Sequence, residues 1–182
     1  MSDLKNSMKV ALCGVLAALS TAVMFLTGLI PVATLALPAI AGCFLIPVVG
    51  EIGVPWGFGV YAVCGALSFL LAPDREAALC YLLFFGYYPA LTAVLGRIRN
   101  RTLRVVVKLL IFNAAVVLET LLSIYVLHIP WESIGALGKA TPFVLLALAN
   151  LMFVLYDRAL DGLIILYFRK FSRQVRRVLK LK

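Results

Sequence analysis

Apolar residues run along this chain in six blocks, each closed by a short interruption that is polar or carries proline and glycine. Residues 10–30 form the first, after a polar start with Lys5 and Lys9. That is about the 20 residues needed to cross a bilayer. The block continues past Ser20, Thr21 and Ala22 into further apolar residues, so it reads as a first membrane helix and not as a cleaved signal peptide. A tight turn over 31–36 leads to a second helix over 37–50. Gly50, Gly53 and Pro55 then break the pattern, since glycine loosens a helix and proline removes a donor. Trp56 beside the break suits a membrane interface, and Glu51 reads as a solvated turn residue. A third helix over 57–72 stops at Pro73-Asp74-Arg75-Glu76, and a fourth covers 77–95. The fifth and sixth cover 105–127 and 143–168, joined by an outer loop over 128–141 with His128 and Trp131. In the tail, 169–182, Phe171, Val175, Val178 and Leu179 recur at helical spacing among cations, which predicts a basic amphipathic helix on the membrane surface.

Composition and charge fix the setting. Of 182 residues, 64% are hydrophobic and 14% charged, whereas a soluble domain is about half apolar and about a quarter charged. The net charge of +9 does not point to nucleic acid, because the cations cluster beside apolar blocks where lipid headgroups would lie. Lys5, Lys9, five cations in 96–108 (Arg97, Arg99, Arg101, Arg104, Lys108) and seven in the tail make fourteen of the seventeen. None of the five in 96–108 has an acidic neighbour in sequence. With six crossings these groups share one side, which the excess of cations on cytoplasmic loops makes the inside. The expectation is an all-α integral membrane protein. It is a single domain over 1–182, a six-helix bundle in the plasma membrane with both termini cytoplasmic.

Ionisable groups inside a bilayer are costly unless paired or wetted, so each is a candidate functional group. Glu119 on the fifth helix and Asp157, Arg158 and Asp161 on the sixth form the expected charge network, with a Glu119–Arg158 pair braced by an aspartate. Such a pair either fixes how two helices dock or takes part in coupling. Asn113 and Asn150 each need a partner across the bundle. On the fourth helix, Tyr81, Phe84, Phe85 and Tyr88 fall at i, i+3, i+4 and i+7 around a kink at Pro89. That aromatic face is either packing or a stacking surface for a flat ligand, whose polar edge Glu119 or Asn150 would hold. On the first helix Gly14, Ala18 and Ala22 form a small-xxx-small row that lets another helix approach closely. That helix is either an internal neighbour or a separate subunit.

Metal, haem and hydrolase chemistry have little to work with. Cys13, Cys43, Cys64 and Cys80 lie in apolar blocks with no CxxC pair, and His128 is the only histidine. No zinc-protease, nucleophile-elbow, P-loop or dinucleotide motif occurs, so neither a cofactor nor catalysis is expected.

Six helices in about 180 residues, termini inside and a small-residue row on the first helix resemble the S component of energy-coupling factor transporters. Ala18 and Ala22 match that family's alanines four apart, and Gly14 stands where it carries another alanine. The resemblance implies uptake of a vitamin-like micronutrient with a transmembrane coupling subunit and two cytosolic ATPases, the chain itself hydrolysing nothing. Carried over by position, it places the substrate among Tyr81, Phe84, Phe85, Tyr88, Glu119, Ser123 and Asn150, and partner docking at Gly14, Ala18 and Ala22. Two other readings compete: a non-transporting scaffold of a rod-shape or cell-wall complex, and a self-contained channel or flippase.

Overall fold

The computed structural model describes residues 2–30, 33–126 and 141–178, and all the regular structure among them is helical. The expected outer loop over 128–141, with His128, Trp131 and Lys139, lies outside them except for Thr141. So do residues 31–32 and the last four of the tail. The chain divides into two compact units, Met1–Arg97 with Gly162–Lys182, and Ile98–Asp161.

In the first unit, α1 (Ser2–Phe25) closes in a 3-10 turn where the Thr27 hydroxyl donates to the Met24 carbonyl at 2.7 Å. Its buried residues Cys13, Ala17, Ser20 and Met24 are three or four apart, so one stripe faces inward. That stripe meets α2 (Ala36–Cys43) and α4 (Val54–Leu71). Leu45, Val48, Cys64 and Tyr81 complete the same core.

The single helix expected over 37–50 is two short ones, α2 and α3 (Ile46–Glu51). Pro47, in the first turn of α3, has no N–H to return to the Cys43 carbonyl, so the α-helical ladder stops there and restarts. The break expected after residue 50 is present. Gly53 has φ 128°, a conformation L side chains avoid, and α4 starts immediately after it. Pro55 begins that helix instead of interrupting it, because its fixed φ suits a first turn.

Two polar clusters mark the ends of this unit. At one end Asp74 caps α5 (Arg75–Cys80), accepting from the Glu76 and Ala77 amides at 2.9 and 3.1 Å, while Thr34 donates to its other oxygen at 3.0 Å. At the other end lies Glu51, and here the expectation of a solvated turn residue is corrected. Its side chain is 1% exposed. One oxygen accepts from Ser172 at 2.5 Å and from Tyr167 at 3.4 Å, and the other from Arg176 at 2.7 Å. The 18 residues of α4 separate the two ends by about 27 Å. Despite its break, the α2–α3 pair therefore runs from one end of the unit to the other.

The Glu51 carboxylate also ties down α9 (Ser172–Val178), the part of the tail read as a surface helix. Glu51→Gln keeps the shape but removes the charge that these donors share. Hydrogen bonds to charged groups are worth about 1.5–3 kcal/mol, and half-exposed Arg176 favours the lower end. Trypsin cleavage after Arg173 should accelerate by about tenfold, the factor for roughly 1.4 kcal/mol. Unchanged cleavage would mean that α9 is held by other contacts.

The second unit holds α7 (Arg101–Tyr125) and most of α8 (Thr141–Lys170), which passes into the first unit after Asp161. Asn100 caps α7, its side chain accepting from the Thr102 and Leu103 amides at 3.0 and 3.4 Å. Only residues 96–100 of the basic stretch are therefore non-helical, and Arg101, Arg104 and Lys108 ride on α7.

Among the described residues, five helices are long and apolar enough to cross a membrane: Asn6–Gly28, Val54–Leu71, Arg75–Leu95, Arg101–Tyr125 and Phe143–Lys170. The Ala36–Glu51 pair is shorter. Large aliphatic and aromatic side chains stand exposed along these helices, Val15, Leu70, Leu110 and Phe143 among them. Such surfaces are compatible with a lipid environment.

Candidate functional site

The aromatic segment does not continue as one α-helix. Between α5 and α6 (Tyr88–Leu95) the chain makes a π-helical turn, Tyr81–Phe85, closed by the Gly86 amide on the Tyr81 carbonyl at 2.8 Å. Pro89 lies in the first turn of α6 and lacks the N–H that an unbroken helix would offer to the Phe85 carbonyl. The wider turn changes the angular spacing, so the expected i, i+3, i+4, i+7 face divides. Tyr81 turns to α1, where its hydroxyl lies 3.2 Å from Ser20, which itself donates to the Ala41 carbonyl at 3.0 Å. Phe84 packs on Tyr88 with ring centroids 4.6 Å apart, and Phe85 meets the edge of Phe84 at 5.3 Å. Tyr81 and Tyr88 are 0% exposed and belong to the core of the first unit.

Sequence reasoning passed over two residues here. Tyr61 donates to the Leu82 carbonyl at 2.7 Å, inside the π-helical turn, and lies edge-on to Tyr87 at 5.7 Å. Ser20 lies within an apolar block and reaches both the Tyr81 hydroxyl and the Ala41 carbonyl. The available signal was a polar tip in an apolar helix, because a buried hydroxyl needs a partner.

Glu119, Ser123 and Asn150 lie in the second unit, apart in sequence and in unit from the aromatic segment. Ser123 is buried, and Glu119 and Asn150 are half-buried. Asn150 and Asn113 exchange side-chain hydrogen bonds at 2.9 and 3.0 Å, as the need for a cross-bundle partner implied. Each amide also donates to a carbonyl four residues back on its own helix, at 2.8 Å. Phe112 stacks on Phe153, with centroids 4.5 Å apart and planes 16° from parallel.

The charge network is arranged differently from expectation. Asp157 pairs with Lys108 at 2.6 Å, with side-chain exposures of 19% and 6%. Lys108, counted above among the cations of the basic stretch 96–108, is buried on α7. The pairs 108–157, 112–153 and 113–150 set the antiparallel register of α7 and α8. In that register Glu119 stands level with residue 146, twelve residues from Arg158 and about 18 Å away along the helix. Glu119 and Arg158 thus lie at different levels, and Arg158 and Asp161 are exposed.

The small-residue row is the one candidate set that occupies a single continuous surface. Gly14, Ala18 and Ala22 are all exposed on α1, on the side away from the buried stripe of Cys13, Ala17, Ser20 and Met24. A Cβ added at Gly14 would meet nothing within 4 Å. None of the three packs the interior of the first unit. The four cysteines are free thiols, and the Cys64 thiol points at the Ala17 carbonyl, 3.6 Å away.

Compared with known protein families, characterised proteins and solved structures, the chain matches none.

Proposed function

We propose that this chain is a non-catalytic membrane subunit that binds a vitamin-like small molecule and docks on a separate coupling subunit through α1. This is the role of the S component in energy-coupling factor transporters. The observation that carries the reading is the outward row Gly14, Ala18 and Ala22, which leaves a shallow strip where another helix backbone can approach closely. The partners are a transmembrane coupling protein and two cytosolic ATPases.

The same reading assigns six crossings with both termini in the cytoplasm. The basic stretch and the tail flank α7 and α8, an even number of spans, so they share a side. Bringing Lys5 and Lys9 to that side requires the α2–α3 pair to complete a crossing. Its 16 residues span about 24 Å, most of a hydrocarbon core of roughly 30 Å. Glu51 bound to the tail at one end, and Thr34 bound to Asp74 at the other, support that path.

A tagged chain drawn from its native membranes in mild detergent should bring down a membrane coupling protein with two ATPases. The double variant Gly14→Leu, Ala18→Leu should lose them while keeping its thermal stability, because both positions are exposed. A second reading, the scaffold, is favoured by the enclosure of Tyr81 and Tyr88 in the core. Recovery of wall-synthesis proteins without ATPases would select it and reject transport.

A further inference from the structure

We propose that a groove between α2–α3 and the end of α8 holds an acyl chain of an anionic phospholipid, whose headgroup is bound by Lys170 and Arg173. The proposal rests on a membrane setting and on a cytoplasmic tail, and is independent of the coupling partner.

The groove belongs wholly to the first unit and has a volume of about 410 Å³, within the range of about 300–1,000 Å³ usual for small-molecule sites. Ile40, Phe44 and Pro47 form one wall, and Leu163, Leu166 and Phe171 the other. Two lining residues carry polar atoms, and both are engaged elsewhere. The Tyr167 hydroxyl donates to Glu51, and the Cys43 thiol donates to the Ala39 carbonyl at 3.2 Å. Nothing inside the groove orients a polar ligand, so the chemistry it fits is hydrocarbon.

Polarity changes at one end. Leu163, Leu166, Tyr167 and Lys170 recur at three- and four-residue spacing on α8, so Lys170, its last residue, continues the groove wall by one turn; Arg173 lies on α9, two residues beyond the lining residue Phe171. Both are exposed. Residues 169–177 carry Arg169, Lys170, Arg173, Arg176 and Arg177, and 162–182 contain no Asp or Glu. Among the described residues the acidic group that pairs with this segment is Glu51, whose side chain is 1% exposed and turned to Arg176, Ser172 and Tyr167. The groove mouth therefore carries uncompensated positive charge beside an apolar slot. A zwitterionic headgroup leaves that charge in place, whereas an anionic one neutralises it.

The test is native mass spectrometry of the detergent-purified full chain with an equimolar mixture of phosphatidylglycerol and phosphatidylcholine bearing the same acyl chains. We expect about a tenfold preference for phosphatidylglycerol, since each basic residue near a headgroup adds appreciably to anionic-lipid binding. Lys170→Gln with Arg173→Gln should erase the preference while lipid still binds. Ile40→Trp, a bulky group at a half-exposed wall position, should reduce uptake of both lipids alike, and Leu163→Trp is its substitute if that variant does not fold. Arg97→Gln with Arg99→Gln, on the other basic stretch, should keep the preference. Equal uptake by the wild type overturns the proposal, as does a preference that survives removal of Lys170 and Arg173 or is lost with Arg97 and Arg99. Lipid uptake unaffected by both groove-filling variants overturns it too. A dimer that Ile40→Trp dissolves would assign the groove to a second copy of the chain instead.

Discussion

Asp157→Leu should destabilise the protein by about 3–5 kcal/mol, the usual loss when one member of a buried ion pair is removed. The reason lies with the partner that stays. Lys108 is 5% exposed and its ammonium sits 2.6 Å from the Asp157 carboxylate, so the variant leaves a buried cation without that counter-charge. The double variant Lys108→Met, Asp157→Leu removes both charges and keeps similar volume. It should recover most of the loss, because replacing a whole buried pair by apolar groups is often neutral or stabilising. Unfolding of the purified protein in detergent, followed for the wild type, both single variants and the double, gives the coupling between the two sites. Additive losses would show that the two charges do not depend on each other. Because the pair joins α7 to α8 beside the Phe112–Phe153 stack and the Asn113–Asn150 exchange, the second unit should carry most of the effect.

Gly42→Ala should cost about 3 kcal/mol, the upper part of the range for overpacked positions. An added Cβ at residue 42 would fall on the Phe85 carbonyl oxygen, a backbone atom that no side-chain rotation can move aside. Gly14→Ala is the matched control. Its Cβ meets nothing within 4 Å, and alanine is better than glycine inside a helix by about 1 kcal/mol, so it should be neutral or stabilising. Thermal shifts of opposite sign for the two substitutions are the expected result. If Gly42→Ala melts like the wild type, α2 is not seated against the π-helical turn as described.

Much of the architecture was legible along the chain, because membrane-length helices announce themselves by length and hydropathy alone. The apolar blocks over 10–30, 57–72, 77–95, 105–127 and 143–168 each correspond to a long apolar helix or helix pair. The break after Glu51 and the small-residue row on α1 were also readable, though not which way that row faces, since glycine's conformational freedom and a stripe at helical spacing are local properties. Less visible was the division of the second block, whose apolar composition is uniform while the single Pro47 decides where its ladder stops.

The pairing of the polar groups was hidden for a different reason. Spacing places Asp157 on a helix face, but which cation meets it depends on the register of two helices joined by a long connection. A register displaced by about twelve residues would have brought Arg158 level with Glu119, whereas the actual register brings Asp157 to Lys108. Glu51 is the same case at longer range, since its donors lie 116 to 125 residues away. Length and hydropathy along the chain are enough to mark helices of membrane length, because burial in hydrocarbon is additive along a segment; six were expected, and among the described residues five are that long, the second block being a shorter pair. The tertiary structure alone decided which charges are paired, which tyrosines are enclosed and which face of α1 is left outward, because hydrogen bonds and ion pairs depend on angstrom-scale placement that composition does not encode.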